Sequence, residues 1–207
     1  MMAGYHRFVF DPSGREFVGR FDDMYLAEQD EHFDSWHQED TRDLTRRLCL
    51  AVLAEFNFSR VLDIGCGKGA FTHQLKRRNN AVIGIDISET AIETARGRYP
   101  DLEFIPLDVR RDPLPGDATT PFDVTVCLET LSYVEGWRAL LSSIARCSRR
   151  ALVALYLPEN PIGFVKTFDE LVAEFSSHFR IEEHIHLVRR RHLVLFGSSK
   201  NMTPEEA

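Results

Sequence analysis

VLDIGCGKGAFT, residues 61–72, runs from an apolar stretch through an acid, Asp63, into three glycines at alternate positions, Gly65, Gly67 and Gly69. A glycine-rich turn between strand and helix brings bare backbone against a ligand at a helix N-terminus. Gly65, Gly67 and Ala70 also satisfy G-x-G-x-x-A, the fingerprint of a nicotinamide-cofactor loop. Asp63, two residues before the first glycine, is awkward beside two phosphates and suits a cationic or amino-bearing ligand. With Gly69 the pattern becomes D-x-G-x-G-x-G.

Outward from this loop, short apolar runs alternate with helical ones. Residues 60–64, 81–85, 102–106, 122–128 and 150–157 read as strands covered on both faces. Residues 70–78, 89–98 and 137–146 read as the intervening helices, with Ser88 capping the second. Thr167 and Glu170 form a capping box for one more helix. RIEEHIHLV and RHLVLFGSS then read as an antiparallel hairpin at one sheet edge. The expected fold is α/β: a doubly wound, Rossmann-like sheet, mostly parallel, with a C-terminal antiparallel hairpin and helices on both faces.

The 207 residues, 43% hydrophobic and 28% charged, suit one soluble domain. No run approaches the roughly 20 apolar residues of a membrane span, and the opening residues lack the features of a secretory signal, so a cytoplasmic protein without membrane partners is expected. A net charge of -7 disfavours a nucleic-acid partner. The basic clusters 76–78 and 189–191 read as a helix end and a solvated turn. Cys49, Cys66, Cys127 and Cys147 are scattered without C-x-x-C spacing, and His32 and His37 belong to no ligand motif, so no metal is expected.

The N-terminal part differs in character. Residues 21–40 carry eight acidic side chains, several aromatics and no Lys or Arg. Residues 41–56 recover helical spacing through Leu44, Leu48, Val52 and Phe56. The expected organisation is an N-terminal extension over 1–40, one domain over 41–200 and a disordered tail over 201–207.

The ordered set of Asp63, the glycines, Asp86 in IGIDIS, Asp108 in IPLDV and the terminal hairpin resembles the class I S-adenosylmethionine-dependent methyltransferases, over roughly residues 41–198. The resemblance implies that Asp63, Gly65, Cys66, Gly67 and Gly69 wrap the methionine and ribose portion of the cofactor. Asp86 with Ile87 then takes the ribose hydroxyls, and Asp108 with Val109 faces the adenine. FDVTVCLETLSYV resembles the family's fourth segment, which implies that Leu128 and Glu129 line the methionine end. CLETLSYV also resembles, more loosely, the nodulation-type N-methyltransferases. The family further implies an N-terminal lid, with S-adenosylhomocysteine as product.

The chemistry implied is in-line transfer of methyl to N or O of a small molecule, an amine, amino sugar or sugar derivative. Orientation does most of that work, and a hydroxyl acceptor gains from a general base. Tyr133, Glu129 and His37 are the catalytic candidates, though many relatives carry a histidine at the position of Tyr133. His6, Tyr25, Trp36 and Tyr133 are the substrate-binding candidates, each with an alternative reading as aromatic wall or anchor. An acidic lid suits an amine-bearing acceptor. His184, His186 and His192 alternate along the terminal hairpin and read as mostly structural. An NAD(P)-dependent oxidoreductase and a non-catalytic S-adenosylmethionine-binding protein stay open as alternatives, and a homodimer is an admitted assembly.

Overall fold

The computed structural model of the chain describes residues 6–11 and 13–202; the tail expected over 201–207 lies, from 203 onward, outside the described residues. The N-terminal segment forms α1 (His6–Val9), the two-residue strands β1 (Phe10–Asp11) and β2 (Glu16–Phe17), and helix α2 (Phe21–Glu31). A short turn at Ser35–His37 leads into α3 (Leu44–Ala54). Strands and helices then alternate as β3 (Arg60–Ile64), α4 (Ala70–Leu75), β4 (Ala81–Asp86), α5 (Glu89–Arg98), β5 (Glu103–Pro106) and β6 (Phe122–Leu128). The chain ends with α6 (Trp137–Cys147), β7 (Ser148–Tyr156), α7 (Phe168–His178), β8 (Phe179–Leu187) and β9 (His192–Ser199).

The large sheet has seven strands in the order β5-β4-β3-β6-β7-β9-β8. All neighbours are parallel except β9, which runs antiparallel to both β7 and β8. The terminal hairpin therefore turns back into the sheet, and its first strand becomes the edge. Chain order reverses between β3 and β6, so a crevice opens at their carboxyl ends, beside the glycine loop.

Alternating strand residues feed two cores. Leu62, Ile64, Cys127 and Val153 pack with Trp137, Leu141 and Ile144 of α6 and Phe175 of α7. Val61, Val124, Val126 and Leu152 pack on the opposite face with Cys49 and Leu53 of α3 and Phe71 and Leu75 of α4. Each such fully buried side chain contributes roughly 1.5–3 kcal/mol. Among the described residues no helix is long and apolar enough to cross a membrane.

Three local readings change. α4 stops at Leu75, three residues early, because the buried Asn80 side chain takes the Leu75 carbonyl at 2.9 Å and the Arg77 N–H at 2.8 Å. The 76–78 cluster thus lies beyond that helix, and Arg77 instead donates to the Leu53 and Phe56 carbonyls at the C-terminus of α3. The fully buried stripe of α3 is Thr45, Cys49 and Leu53; Leu44, Leu48, Val52 and Phe56 flank it, half-buried. Elsewhere the caps form as read: Ser88 accepts from Ala91 N–H, and Thr167 with Glu170 completes the capping box of α7.

Candidate active site

The loop after β3 is built from left-handed backbone: φ is 75° at Gly65, 52° at Gly67 and 81° at Gly69. A Cβ on Gly65 would lie 2.0 Å from Thr130 Oγ1, so no side chain fits there. The Gly65 and Cys66 N–H groups both donate to the Ile85 carbonyl, at 2.8 and 3.0 Å, which fastens the loop to the tip of β4.

Two acids face this loop. Asp63 is fully buried and accepts from Thr72 Oγ1 at 2.6 Å; burial pushes its carboxyl up to about 7. Asp86, at the end of β4, accepts from Gly67 N–H and Ser88 N–H, each at 2.9 Å, one on each oxygen. Removal from water raises its pKa, and those two bonds oppose the rise. A carboxylate has about four acceptor positions, so both oxygens keep capacity for further donors. Asp63, Gly65, Cys66, Asp86, Ile87, Asp108, Val109 and Leu128 all line one cavity of about 530 Å³. Gly67 and Gly69 shape the loop from behind without lining it. The Asp108 carboxylate is forked onto Arg110 by two bonds of 2.8 Å, which hold its pKa below the usual carboxylate value.

The same cavity continues to a second end. Tyr133 stands among Phe10, Phe17, Phe21 and Trp36, with ring centroids 5.7–6.2 Å apart, and its hydroxyl accepts from Trp36 Nε1–H at 3.0 Å. His6, Tyr25, Trp36, His37 and Glu129 also line the wall. Tyr25 is buried, its hydroxyl accepts from Gln38 Nε2 at 2.9 Å, and burial raises its pKa. Burial lowers the pKa of His6, with His37 adding to the effect. Glu129 has left-handed backbone, φ 57°, and burial pushes its carboxyl up to about 7.

The acids of residues 21–40 are mostly spent on the fold. The Lys68 ammonium, buried inside the glycine loop, bridges Glu28 and also Asp34 at 2.9 Å. Asp22 accepts from Ser88 Oγ and from Thr90 N–H at 2.5 and 3.1 Å, Glu31 pairs with Arg7 at 2.5 Å, and Glu39 pairs with Arg98. Of the eight, Asp40 alone lines the cavity. Asp22, Glu28, Glu31, Asp34 and Glu39 are thus engaged within the fold, so the segment presents fewer unengaged carboxylates to an acceptor than its composition indicates.

Sequence reasoning passed over Lys68, Gln38, Asp43, Arg46 and Tyr156, all of which stand at or beside the cavity. Gln38 Oε1 accepts the Lys68 N–H at 2.9 Å, and Arg46 donates to the Trp36 and His37 carbonyls at 3.0 and 2.6 Å. Lys68 carried a signal: a long cation amid glycines, facing an acidic segment without its own counter-ions. His192, one of the hairpin histidines read as mostly structural, lines the wall because β9 lies next to β7, a neighbour that strand alternation does not indicate. Among the described residues no three His, Cys, Asp or Glu side chains are grouped to hold a metal ion.

Comparison with known proteins agrees with this geometry. Residues 61–151 match a methyltransferase domain family. The mitochondrial ubiquinone biosynthesis O-methyltransferase of Schizosaccharomyces pombe is 31% identical over 159 residues, 62% of this chain and 55% of that protein. The chain spans about half the length of such curated relatives. Among solved structures, the complex of the Haloferax volcanii Trm112 methyltransferase activator with a putative methyltransferase contains a chain that superposes with TM-score 0.71 at 19% identity, covering 89% of this chain and 98% of that one. The N-methyltransferase NodS of Bradyrhizobium japonicum, bound to S-adenosylhomocysteine, superposes with TM-score 0.66 at 16% identity, covering 85% and 98%. At such identities both show the fold alone. The sheet order with an antiparallel β9 is the class I methyltransferase fold, and within it residues 61–151, from β3 to β7 and including the glycine loop, are similar to a methyltransferase domain.

Proposed function

We propose that the protein transfers a methyl group from S-adenosylmethionine to an oxygen or nitrogen of a small molecule held at the Tyr133 end of the cavity. One observation carries the reading: a single cavity of about 530 Å³ joins the positive-φ glycine loop and Asp86 to a side-chain-rich chamber around Tyr133 and Glu129. That volume falls in the range of small-molecule sites.

The residues present fit the cofactor. The turn at Gly65 leaves room for no side chain, and Asp86 keeps acceptor capacity for two ribose hydroxyls. Ile87 and Val109 flank the adenine place, with Asp108 shared between it and Arg110. Asp63 and Leu128 border the methionine end. When bound, the cofactor supplies an electrophilic methyl on a sulfonium, and the chain's task is to hold the acceptor atom in line behind it.

The N-terminal segment serves as the lid in this reading. Its α2 and the Ser35–His37 turn supply Phe21, Tyr25, Trp36 and His37 to the wall, and Lys68 and Gln38 bind it to the glycine loop. Tyr133 acts as an aromatic wall that packs the acceptor, its hydroxyl oriented by Trp36. Calorimetry with S-adenosylmethionine and with NAD tests the cofactor, and mass spectrometry of metabolite pools incubated with protein and cofactor tests the transfer. Binding of S-adenosylmethionine alone, with a product heavier by one methylene, is the expected result; stabilisation by NAD alone would overturn the reading.

A further inference from the structure

Glu129, the residue after β6, and His192, the first residue of β9, meet at the acceptor end of the cavity. Glu129 Oε2 accepts Tyr156 N–H at 2.8 Å, and its Oε1 lies 3.4 Å from His192 Nε2. On the far side of the imidazole, Nδ1 lies 2.7 Å from the Arg190 carbonyl oxygen. A carbonyl oxygen only accepts, so Nδ1 carries a proton and Nε2 is left facing the carboxyl. An unprotonated Nε2 opposite an ionised carboxylate would set lone pair against lone pair; one proton between them, on either atom, removes that repulsion.

The surroundings favour sharing over outright ownership. Burial holds Glu129 up at about 7 and moves His192 below its ordinary value. The charged groups facing the pair are Asp43, which caps α3, Arg46 in its first turn, and Arg190 of the β8–β9 turn. Asp43 raises both members, Arg46 lowers Glu129, and Arg190 lowers His192 while its carbonyl raises it. The Tyr156 ring packs 5.2 Å from the imidazole.

We infer that Glu129 and His192 work as one unit that holds at most one shared proton, and that this unit, once that proton has left to solvent, accepts the proton the acceptor loses on methylation. The inference rests on the methyl-transfer reading and narrows it to acceptors that shed a proton, a hydroxyl or an ammonium-forming amine. In the step, an acceptor oxygen or nitrogen bonds to the methyl carbon as the carbon–sulfur bond breaks, its electron pair staying on sulfur. The acceptor's proton passes to the Nε2–Oε1 pair, whose charge changes from minus one to zero.

The test uses the full chain with isotope-labelled histidine and NMR titration from about pH 5 to 9, the range in which such groups change charge. In the wild type His192 is expected as the Nδ1–H tautomer with two inflections, collapsing to one in Glu129→Gln. Identical curves in both proteins, or an Nε2–H tautomer, would overturn the pairing.

Turnover, read as S-adenosylhomocysteine release with catechol and glucosamine as acceptor probes, supplies the second arm. His192→Asn keeps a donor near the Nδ1 place and removes Nε2. Its kcat/KM is expected to fall about 10²-fold, with the acid limb of the pH profile displaced, while S-adenosylhomocysteine affinity holds. An unshifted profile in His192→Asn sinks the proton-acceptor role. Failure of the wild type to bind S-adenosylmethionine by calorimetry would instead remove the methyl-transfer reading, and the shared-proton titration would still be read independently.

Discussion

At the cofactor end of the cavity the walls are largely backbone: Gly65 and Cys66 of the glycine loop, the tips of β3 and β4, and two acids fixed by N–H groups and a hydroxyl. At the acceptor end they are side chains, drawn from α2, α3, β6, β7 and β9. Backbone conformation is written locally, in runs of a few residues, so the first end can be read from one stretch of sequence. Side chains that meet across five elements are placed by topology, which a linear reading does not contain. The same contrast predicts different responses to mutation: abrupt and structural at the first end, graded and chemical at the second.

The largest effect follows from breaking the backbone end. Gly65→Ala adds a Cβ in left-handed conformation, 2.0 Å from Thr130 Oγ1. Left-handed strain and overpacking together are expected to cost roughly 2–5 kcal/mol. Urea denaturation reads the loss, and calorimetry is expected to show no S-adenosylmethionine binding. A fully stable, binding-competent Gly65→Ala would show that the loop tolerates a side chain.

Lys68 joins the two ends. Its buried ammonium holds Glu28 and Asp34 of the N-terminal segment, and Lys68→Met leaves their carboxylates unpaired. Removing one partner of a fully buried pair costs about 3–5 kcal/mol. Asp34 is one-third exposed, so solvent screens part of this, and about 1–3 kcal/mol is expected. The loss falls on the docking of residues 20–40, and limited proteolysis should cut there at least tenfold faster while the sheet stays intact. Equal cleavage rates would separate the segment from the glycine loop.

Much of the fold was legible because strands of a doubly wound sheet are apolar on both faces. β3 and β6 begin and end where their residues indicate, as does α5 with its Ser88 cap. α4 was overextended because the Asn80 side chain that ends it acts from five residues beyond its last turn. At the site, Asp63 and Asp86 sit near the carboxyl ends of β3 and β4, the strands that their residues indicate. The partners of several acids of residues 21–40, Lys68, Arg7, Arg98 and Ser88, were not legible because they lie far away in sequence. The place of His192 in the cavity wall was not legible either: alternation along a strand gives the face and not what stands opposite.

Asp86→Ala tests the side-chain part of the cofactor end. Its carboxylate also accepts two N–H groups, so the substitution loosens the Gly67 and Ser88 turns as well as removing the ribose acceptor. Hydrogen bonds to a charged group contribute roughly 1.5–3 kcal/mol, which corresponds to a loss of about 10- to 150-fold in S-adenosylmethionine affinity. Asp86→Asn keeps the shape and one acceptor oxygen and is expected to lose less. Unchanged affinity in both variants would move the ribose elsewhere in the cavity.

The smallest effect is a pH dependence set by Asp63. Burial raises its folded-state pKa from 3.8 to about 7, so in the unliganded protein it binds a proton more tightly than in the unfolded chain. Stability from this group is therefore present below its unfolded value and declines as pH rises toward 7. A bound cation beside Asp63 reverses the preference, because a sulfonium or ammonium favours the ionised carboxylate. Affinity for S-adenosylmethionine is thus expected to rise severalfold between about pH 6 and pH 8, as binding below pH 7 must first release the Asp63 proton. In Asp63→Asn that slope flattens and affinity drops at the high end, while the variant's own stability becomes less sensitive to pH over about 4 to 7. Calorimetry in buffers of different ionisation enthalpy counts the proton directly: about half a proton released per binding event near pH 7 in the wild type, and close to none in Asp63→Asn. A release that persists in Asp63→Asn would assign the titration to another acid of the cavity whose pKa burial raises, Glu129 or Asp86.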